Sequence, residues 1–540
     1  MRTLFRSLVL LCALAAVLPL GAQVKTTDQD FKIEFRTSAR CVACHNGLHT
    51  KEGEDISIGF DWRASIMANS ARDPYWQGSV RRESLDHPTS QAAIENECST
   101  CHMPLTHFTA RSEGREAQVF SHLPLGPLLG KDGAAADGVS CSVCHQAESD
   151  HLGMPESFSG NLTFASLNDP HNRPEYGPFD VDKGHQRVMQ SSTNGMVPQQ
   201  AAHIRNAALC GSCHTLYTRA LGPDGQQIGT LPEQMPFLEW LHSDYKDRET
   251  CQQCHMPKVN EPVAITAVYG PLREGMHRHV FVGGNFLMQQ MLNDYRVDLH
   301  TAALSQELIA ASARTIDFLK SQSARVTLEA LSRQSGKLSL AVRVQNLTGH
   351  KLPTAYPSRR AWLHVLVQDR DGRTVFESGA LNKDGSIADN DNDANPHHYE
   401  PHYREITNSQ QVEIFEPILK DEHGNVTTGL LSAVGYLKDN RLLPTGFDKQ
   451  TASGDIAVTG RAFDDPNFFG GSSTTRYVID TNGHPGPYHV RAELWYQPIG
   501  FRWAHNLQPY KAAEPQRFVQ YYDSEARRSA VILASADASE

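Results

Sequence analysis

Cys141-Ser142-Val143-Cys144-His145 is one of five copies of a single pattern, and its repetition decides how this chain is built. The other copies are Cys41-Val42-Ala43-Cys44-His45, Cys98-Ser99-Thr100-Cys101-His102, Cys210-Gly211-Ser212-Cys213-His214 and Cys251-Gln252-Gln253-Cys254-His255. Of the 11 cysteines only Cys12 falls outside it. Histidine makes up 26 of 540 residues, too few for five successive pairs each to be followed by His by chance. Two thiols at this spacing add to the two vinyl groups of one haem, and the adjacent imidazole is then placed to ligate its iron. Disulfide frameworks do not repeat one spacing with a fixed His. Zinc sites use Cys pairs but have no need of His directly after each. The pattern therefore predicts five covalently bound haem c groups, with His45, His102, His145, His214 and His255 as proximal iron ligands.

The five motifs fall between Cys41 and His255, roughly one per 40 to 50 residues, which is too little chain to wrap a conventional core around each. The porphyrins are expected to be the core, close enough together for electrons to hop among them. A low-spin haem needs a second axial ligand, usually Met or a second His. The candidates for this distal position are His171, His185, His203, His277 and His279, with His350 reaching in from the second half. His49, His107, His122 and His242 rank below them, because a lone His is more often a hydrogen-bonded surface residue. Met67, Met103 and Met256 are thioether candidates whose ordinary role is packing.

Upstream, Arg2 and Arg6, the apolar run Leu8 to Leu20 and Gly21-Ala22 read as a secretory signal over residues 1–22, with Cys12 as filler within it. The expected location is the periplasm or outer surface. No later stretch approaches the roughly 20 apolar residues that span a bilayer. A net charge of -11 without basic runs argues against nucleic-acid partners. The expected organisation is a pentahaem domain over 23–297, a connecting helix over 298–322, a β-domain over 323–510 and a C-terminal tail over 511–540.

The helix is expected from Leu304, Leu308, Ala311, Thr315 and Leu319 at helical spacing. After Arg325 the period becomes two, in Val326–Leu328, Leu338–Val344, Trp362–Val367, Arg476–Ile479 and Val490–Tyr496. With a hairpin signal at Asp371-Gly372, these runs predict an antiparallel β-sandwich behind an α-helical and irregular haem domain. The polar loop Asn346–Arg360 carries His350 and two arginines, Arg359 and Arg360, suited to pair with haem propionates. Asp389, Asp391 and Asp393 are spaced like a calcium loop without its later Glu or turn Gly, so a solvated acidic turn is preferred and calcium kept as a secondary expectation. His402, in Tyr399-Glu400-Pro401-His402-Tyr403, is the weakest ligand candidate.

These motifs resemble the multihaem cytochrome superfamily that includes hydroxylamine oxidoreductase and the tetrahaem cytochrome that accepts its electrons. The resemblance rests on Cys41–His45, Asp137–His145, Leu209–His214 and Cys251–Pro257, on Ser65–Tyr75 between the first two haem motifs, and, in the second half, on Gly349–Pro353, Trp362–His364 and Tyr496–Trp503. It implies electron transfer in respiration. Nitrite-reducing relatives replace one attachment His by Lys, and no Cys-x-x-Cys-Lys occurs here. Hydroxylamine oxidoreductase carries eight haems and a cross-linking tyrosine, neither of which this sequence matches. The expectation is thus an electron carrier working with redox partner proteins. A haem oxidoreductase with one open iron, acting on a small nitrogen or sulfur species, and a self-assembling filament subunit stand as alternatives.

Overall fold

The computed structural model describes residues 35–127, 130, 132–165 and 172–540. The signal segment, Cys12 and His171 lie outside the described residues. Strand alternation in the second half is carried out faithfully. Along Lys337–Asn346 the side chains of Leu338, Leu340, Val342 and Val344 point inward, and the residues between them are partly exposed. This strand pairs antiparallel with Ala324–Gln334 on one side and Ser472–Asp480 on the other, Val342 opposite Thr475 and Leu340 opposite Tyr477. Glu405–Ile406 and Phe468–Phe469 complete a five-stranded sheet, the former running parallel to its neighbour.

A second five-stranded sheet centres on Arg360–Gln368 and His489–Gln497, with Thr374–Ser378, Ile414–Phe415 and Val531–Ser539 added antiparallel. Asp371-Gly372 makes the expected hairpin: Gly372 at φ +78° takes the left-handed conformation that side chains resist. The inner faces of both sheets, Leu338 to Val344 and Leu363, Val365 and Val367 among them, belong to one continuous apolar cluster.

That cluster extends into the first half. Phe286–Asp294 is a buried helix whose Phe286, Leu287, Met288, Met291 and Leu292 join it, and it packs along the helix Ser305–Gln322. The latter starts seven residues later than position 298: Leu304 is its N-terminal boundary residue and exposed, while Leu308, Ala311, Thr315 and Leu319 form the buried stripe. The helix begins where Glu307 accepts a hydrogen bond from the Leu304 amide, which satisfies one orphan donor of the first turn.

Residues 511–540 are not a tail. Ala513–Glu525 is a helix packed against Pro74–Asp86, where Gly78 lets Pro515 approach and Arg81 grips Glu514 at 2.8 Å. Val531–Ser539 is the edge strand beside His489–Gln497. Its sequence, with small residues at alternate places, gives little apolar signal, and Leu533 is its one buried side chain. Glu34–Glu540 forms one compact unit, so the change of composition near 297–323 is not a change of compactness.

The first half has no comparable core of its own. Small apolar clusters, such as Leu48, Ile56, Val259, Val263 and Met276, or Phe158, Ala207 and Phe237, stand apart from one another. No helix among the described residues is long and apolar enough to cross a membrane.

Candidate haem-binding site

Each motif lies on or ends a short helix: Ser38–Val42, Gln91–His102, Cys141–His145, Ala207–Cys213 and Cys251–His255. One helical turn sets the two Cys, three apart, and the following His on neighbouring positions of one face. The first, third, fourth and fifth motifs open on a single cavity of about 1600 Å³. That exceeds the roughly 300–1,000 Å³ that takes one small ligand. Ser38–Val42 packs on Cys141–His145, and Cys251–His255 on Ala207–Cys213, so the motifs are neighbours in space as well as on the cavity wall.

The ten described cysteines all have free thiols. Burial pushes the Cys144 thiol up to about 12 and holds Cys98 well above its ordinary range. A zinc site needs Cys or His side chains gathered around one point. Among the described residues no three or more His, Cys, Asp or Glu are grouped to hold a metal ion. The paired thiols and single imidazoles around a large void suit covalent haem instead.

The imidazoles are set for iron. Nδ1 of His45 donates to the Ile265 carbonyl, of His145 to Tyr176 and of His255 to Val282, each at 2.6 Å, and of His102 to Ser70 at 2.9 Å. A carbonyl only accepts, so the proton sits on Nδ1 and Nε2 is left with its lone pair, the tautomer that metal-bound histidines use. Three histidines outside the motifs repeat this arrangement on the cavity wall. His277 donates to Met256 at 2.5 Å, His279 to His277 at 3.1 Å and His350 to Lys351 at 2.9 Å. Burial lowers His102 and His255 to about 4 and His279 to about 3, so all three rings are neutral at pH 7.

Two of these rings face motif histidines. His145 and His279 have ring centres 6.2 Å apart with planes inclined by 19°, and His255 and His350 stand at 6.2 Å and 6°. Two imidazoles bound through facing nitrogens to one metal, with bonds of about 2.0–2.1 Å, have centres about 6 Å apart. The 6.2 Å separations of His145 from His279 and of His255 from His350 are close to that value.

Other candidates are placed differently. Both ring nitrogens of His185 are engaged, Nδ1 with Asp182 and Nε2 with the Tyr269 carbonyl at 2.9 Å. His203 donates from Nε2 to Ala147 at 2.9 Å, with its ring edge-on to Tyr176. His122 pairs with Asp132 at 3.0 Å and His242 bonds the Asp448 carbonyl at 3.0 Å. His107 is buried beside the second motif, with Nδ1 on the Asn96 carbonyl at 3.1 Å. Met103 is core packing, whereas Met67 and Met256 line the cavity.

The second motif is not on the cavity wall. Cys98 packs against a cluster containing Trp76, Val80, Ile94 and Met103, and Trp76 stacks on His102 at 4.5 Å. Trp76 gave no signal in the sequence, since an aromatic in a helix most often reads as core. The backbone carbonyls that orient the imidazoles have no sequence signal at all.

The two arginines of the 346–360 loop divide. Arg360 is buried and forks onto Asp393 at 2.7 and 2.9 Å, which leaves it nothing for a propionate. Arg359 lines the cavity. Asp393 is thereby taken up by Arg360, and with Asp391 it forms the first turn of the short helix Asp391–Ala394, not a calcium loop. His402 is fixed between Glu413 and Asp465 in the β half, with no nitrogen left for iron.

No family model matches the sequence, and no curated protein matches it. Among solved structures, the chain is similar to the crystal structure of a penta-heme cytochrome c552 from Thermochromatium tepidum, with a TM-score of 0.50 and 14% identity over 94% of this chain and 99% of that one. The fold is a multihaem cytochrome's. The likeness runs through both halves, so the sheets belong to the shared architecture along with the motif region.

Proposed function

We propose that the protein is an exported pentahaem c-type cytochrome that carries electrons between respiratory partner proteins. The observation that carries this reading is the pair of facing imidazoles, His145 with His279 and His255 with His350, each 6.2 Å apart at a wall of attachment motifs. In this reading the ten motif cysteines hold the haems covalently, the five motif histidines are proximal ligands, and His279 and His350 are distal ligands. Bound haem supplies one-electron exchange at iron. The chain's part is to hold Nε2 of each ring toward the metal, keep the imidazoles neutral and keep bulk water from the cavity. A site with both axial positions filled passes electrons without binding substrate, which favours a carrier.

Residues 41–257 support placing the chain beside the hydroxylamine oxidoreductase and tetrahaem cytochrome superfamily. The two sheets are read as a sandwich that covers the haem array and contributes His350 to it. Electron paramagnetic resonance of the oxidised holoprotein tests the assignment. All irons should be low-spin, and His279→Ala and His350→Ala should each convert one iron to high-spin. Wild-type protein with about one high-spin iron in five would point to the oxidoreductase with an open site. Unchanged spectra in both variants would remove the proposed ligand pairs.

A further inference from the structure

Beside His255 and His350 the cavity wall carries a positive charge that nothing in the described chain neutralises. Arg359 donates from Nη1 to the Thr354 carbonyl at 3.1 Å, and no carboxylate among the described residues lies within ion-pair distance of it. Its neighbours are otherwise engaged: Arg360 has Asp393, and Glu239 pairs with Arg441 at 3.0 Å. Arg359 is half-buried, and a guanidinium drawn partly out of water gains from an anion that meets it. Tyr496 stands next to it, 2% exposed, with its hydroxyl over Gly284 on the cavity wall. The two converge over Gly284, where a Cβ would collide with the Tyr496 hydroxyl and lie 3.6 Å from Arg359 Nη1. Gly284, Arg359 and Tyr496 all line the same cavity as His255 and His350.

We propose that Arg359 and Tyr496 form an anion cradle over Gly284 that takes an oxyanion from outside the described polypeptide. A guanidinium fork and a phenolic O–H offer converging donors, the arrangement that makes strong charge-assisted bonds to a carboxylate or similar oxyanion. Two sources share that chemistry: a propionate of haem bound at Cys251–His255, or a free small oxyanion admitted to the cavity. The first source rests on the haem reading above, and the haem content of each variant, measured as the pyridine haemochrome, separates failure of that reading from failure of the cradle.

The experiment is an optical redox titration of holoprotein bearing Arg359→Gln or Tyr496→Phe, repeated with nitrite and with formate. If a propionate is held, one midpoint potential falls in Arg359→Gln, because a neutralising cation is lost, and the same midpoint falls by less in Tyr496→Phe. The added anions then have no effect. If the cradle takes a free oxyanion, nitrite or formate gives a saturable spectral change in the wild type that Arg359→Gln abolishes and Tyr496→Phe weakens. A shift in Arg359→Gln alone would mean only that a charge near iron was removed, and it would overturn the cradle. So would two variants that superimpose on the wild type with no response to either anion.

Discussion

The two halves of this molecule bury their interiors in different ways. In the second half, strands such as Lys337–Asn346 and Arg360–Gln368 turn alternate side chains into one continuous apolar cluster, so the polypeptide is its own core. In the first half, the helices at the cavity, such as Cys141–His145 and Cys251–His255, are a single turn or so long, and small separate clusters stand around a cavity of about 1600 Å³. A fold needs buried apolar area to offset the entropy of ordering its chain, and short helices are marginal without packing. The first half lacks that area unless the cavity is filled. What the comparison teaches is that cofactor and chain divide the work of folding along the sequence.

The largest expected effect follows directly. Chain made in a host without covalent haem attachment should keep the sheets and lose the motif region. Hydrogen exchange read by mass spectrometry should find protection near unity over Cys141–His145, Ala207–Cys213 and Cys251–His255. Lys337–Asn346 and Arg360–Gln368 should retain protection of ~10³ or more. Equal protection in both halves would erase the distinction, since it would mean that the motif region holds itself together.

The same division explains what the sequence made legible. Covalent attachment needs Cys, Cys and His at a fixed local spacing, so the motifs can be read without knowing the fold. Alternation of period two is equally local, and it located strands such as Leu338–Val344 and Trp362–Val367 correctly in the second half. Axial partners are a matter of tertiary placement. His350 meets His255 across 95 residues of chain, and His185 looked as good in sequence as His279 until Asp182 and Tyr269 were found on its two nitrogens. The edge strand Val531–Ser539 escaped because small and polar residues make up most of it and Leu533 alone is buried. Arg359 and Arg360 are adjacent and chemically identical, and only the position of Asp393 tells them apart.

Between the halves lies a buried set of charges, and its loss is the next largest effect. Lys351, fully buried, bonds Asp439 at 2.7 Å, and Arg441 bridges Asp439 at 2.8 Å and Glu239 at 3.0 Å. Glu239 belongs to the motif side, and it also accepts from the Lys351 amide at 3.1 Å. Burial alone would raise Asp439, but Arg441 and Lys351 outweigh it and hold the carboxyl well below its ordinary range. Asp439→Asn leaves two buried cations facing one carboxylate, and removing one partner of a buried pair costs about 3–5 kcal/mol. Denaturant unfolding followed by circular dichroism should show that loss. Asp537→Asn, which breaks the exposed pair with Arg491, should change stability by less than about 0.5 kcal/mol. Similar small effects from both would show that the seam is not held by charge.

The smallest effect concerns the β half alone, and it appears only on varying pH. His402 is 3% exposed, with Nδ1 2.7 Å from Glu413 and Nε2 2.9 Å from Asp465. Burial pulls its pKa down, but the two carboxylates outweigh burial and bring it up to about 9. In the unfolded chain a histidine titrates near 6.5. A folded value above the unfolded one means that the folded state holds the proton more tightly. The stabilisation is therefore full below about pH 6.5 and is lost as pH rises through about 9, with a limit of about 3 kcal/mol. Asp465 is shifted the other way: burial would raise it, yet the bond from His402 leads the effects that hold it below its ordinary range. Its contribution fades only in acid, outside this window. Unfolding free energies at pH 6 and pH 9.5 should thus differ in the wild type by more than in His402→Gln, which cannot take up the proton. Because neither carboxylate that holds His402 lines the cavity, the haem spectrum should be the same at both pH values. A parallel change in that spectrum would mean that protonation of His402 is felt at the cavity.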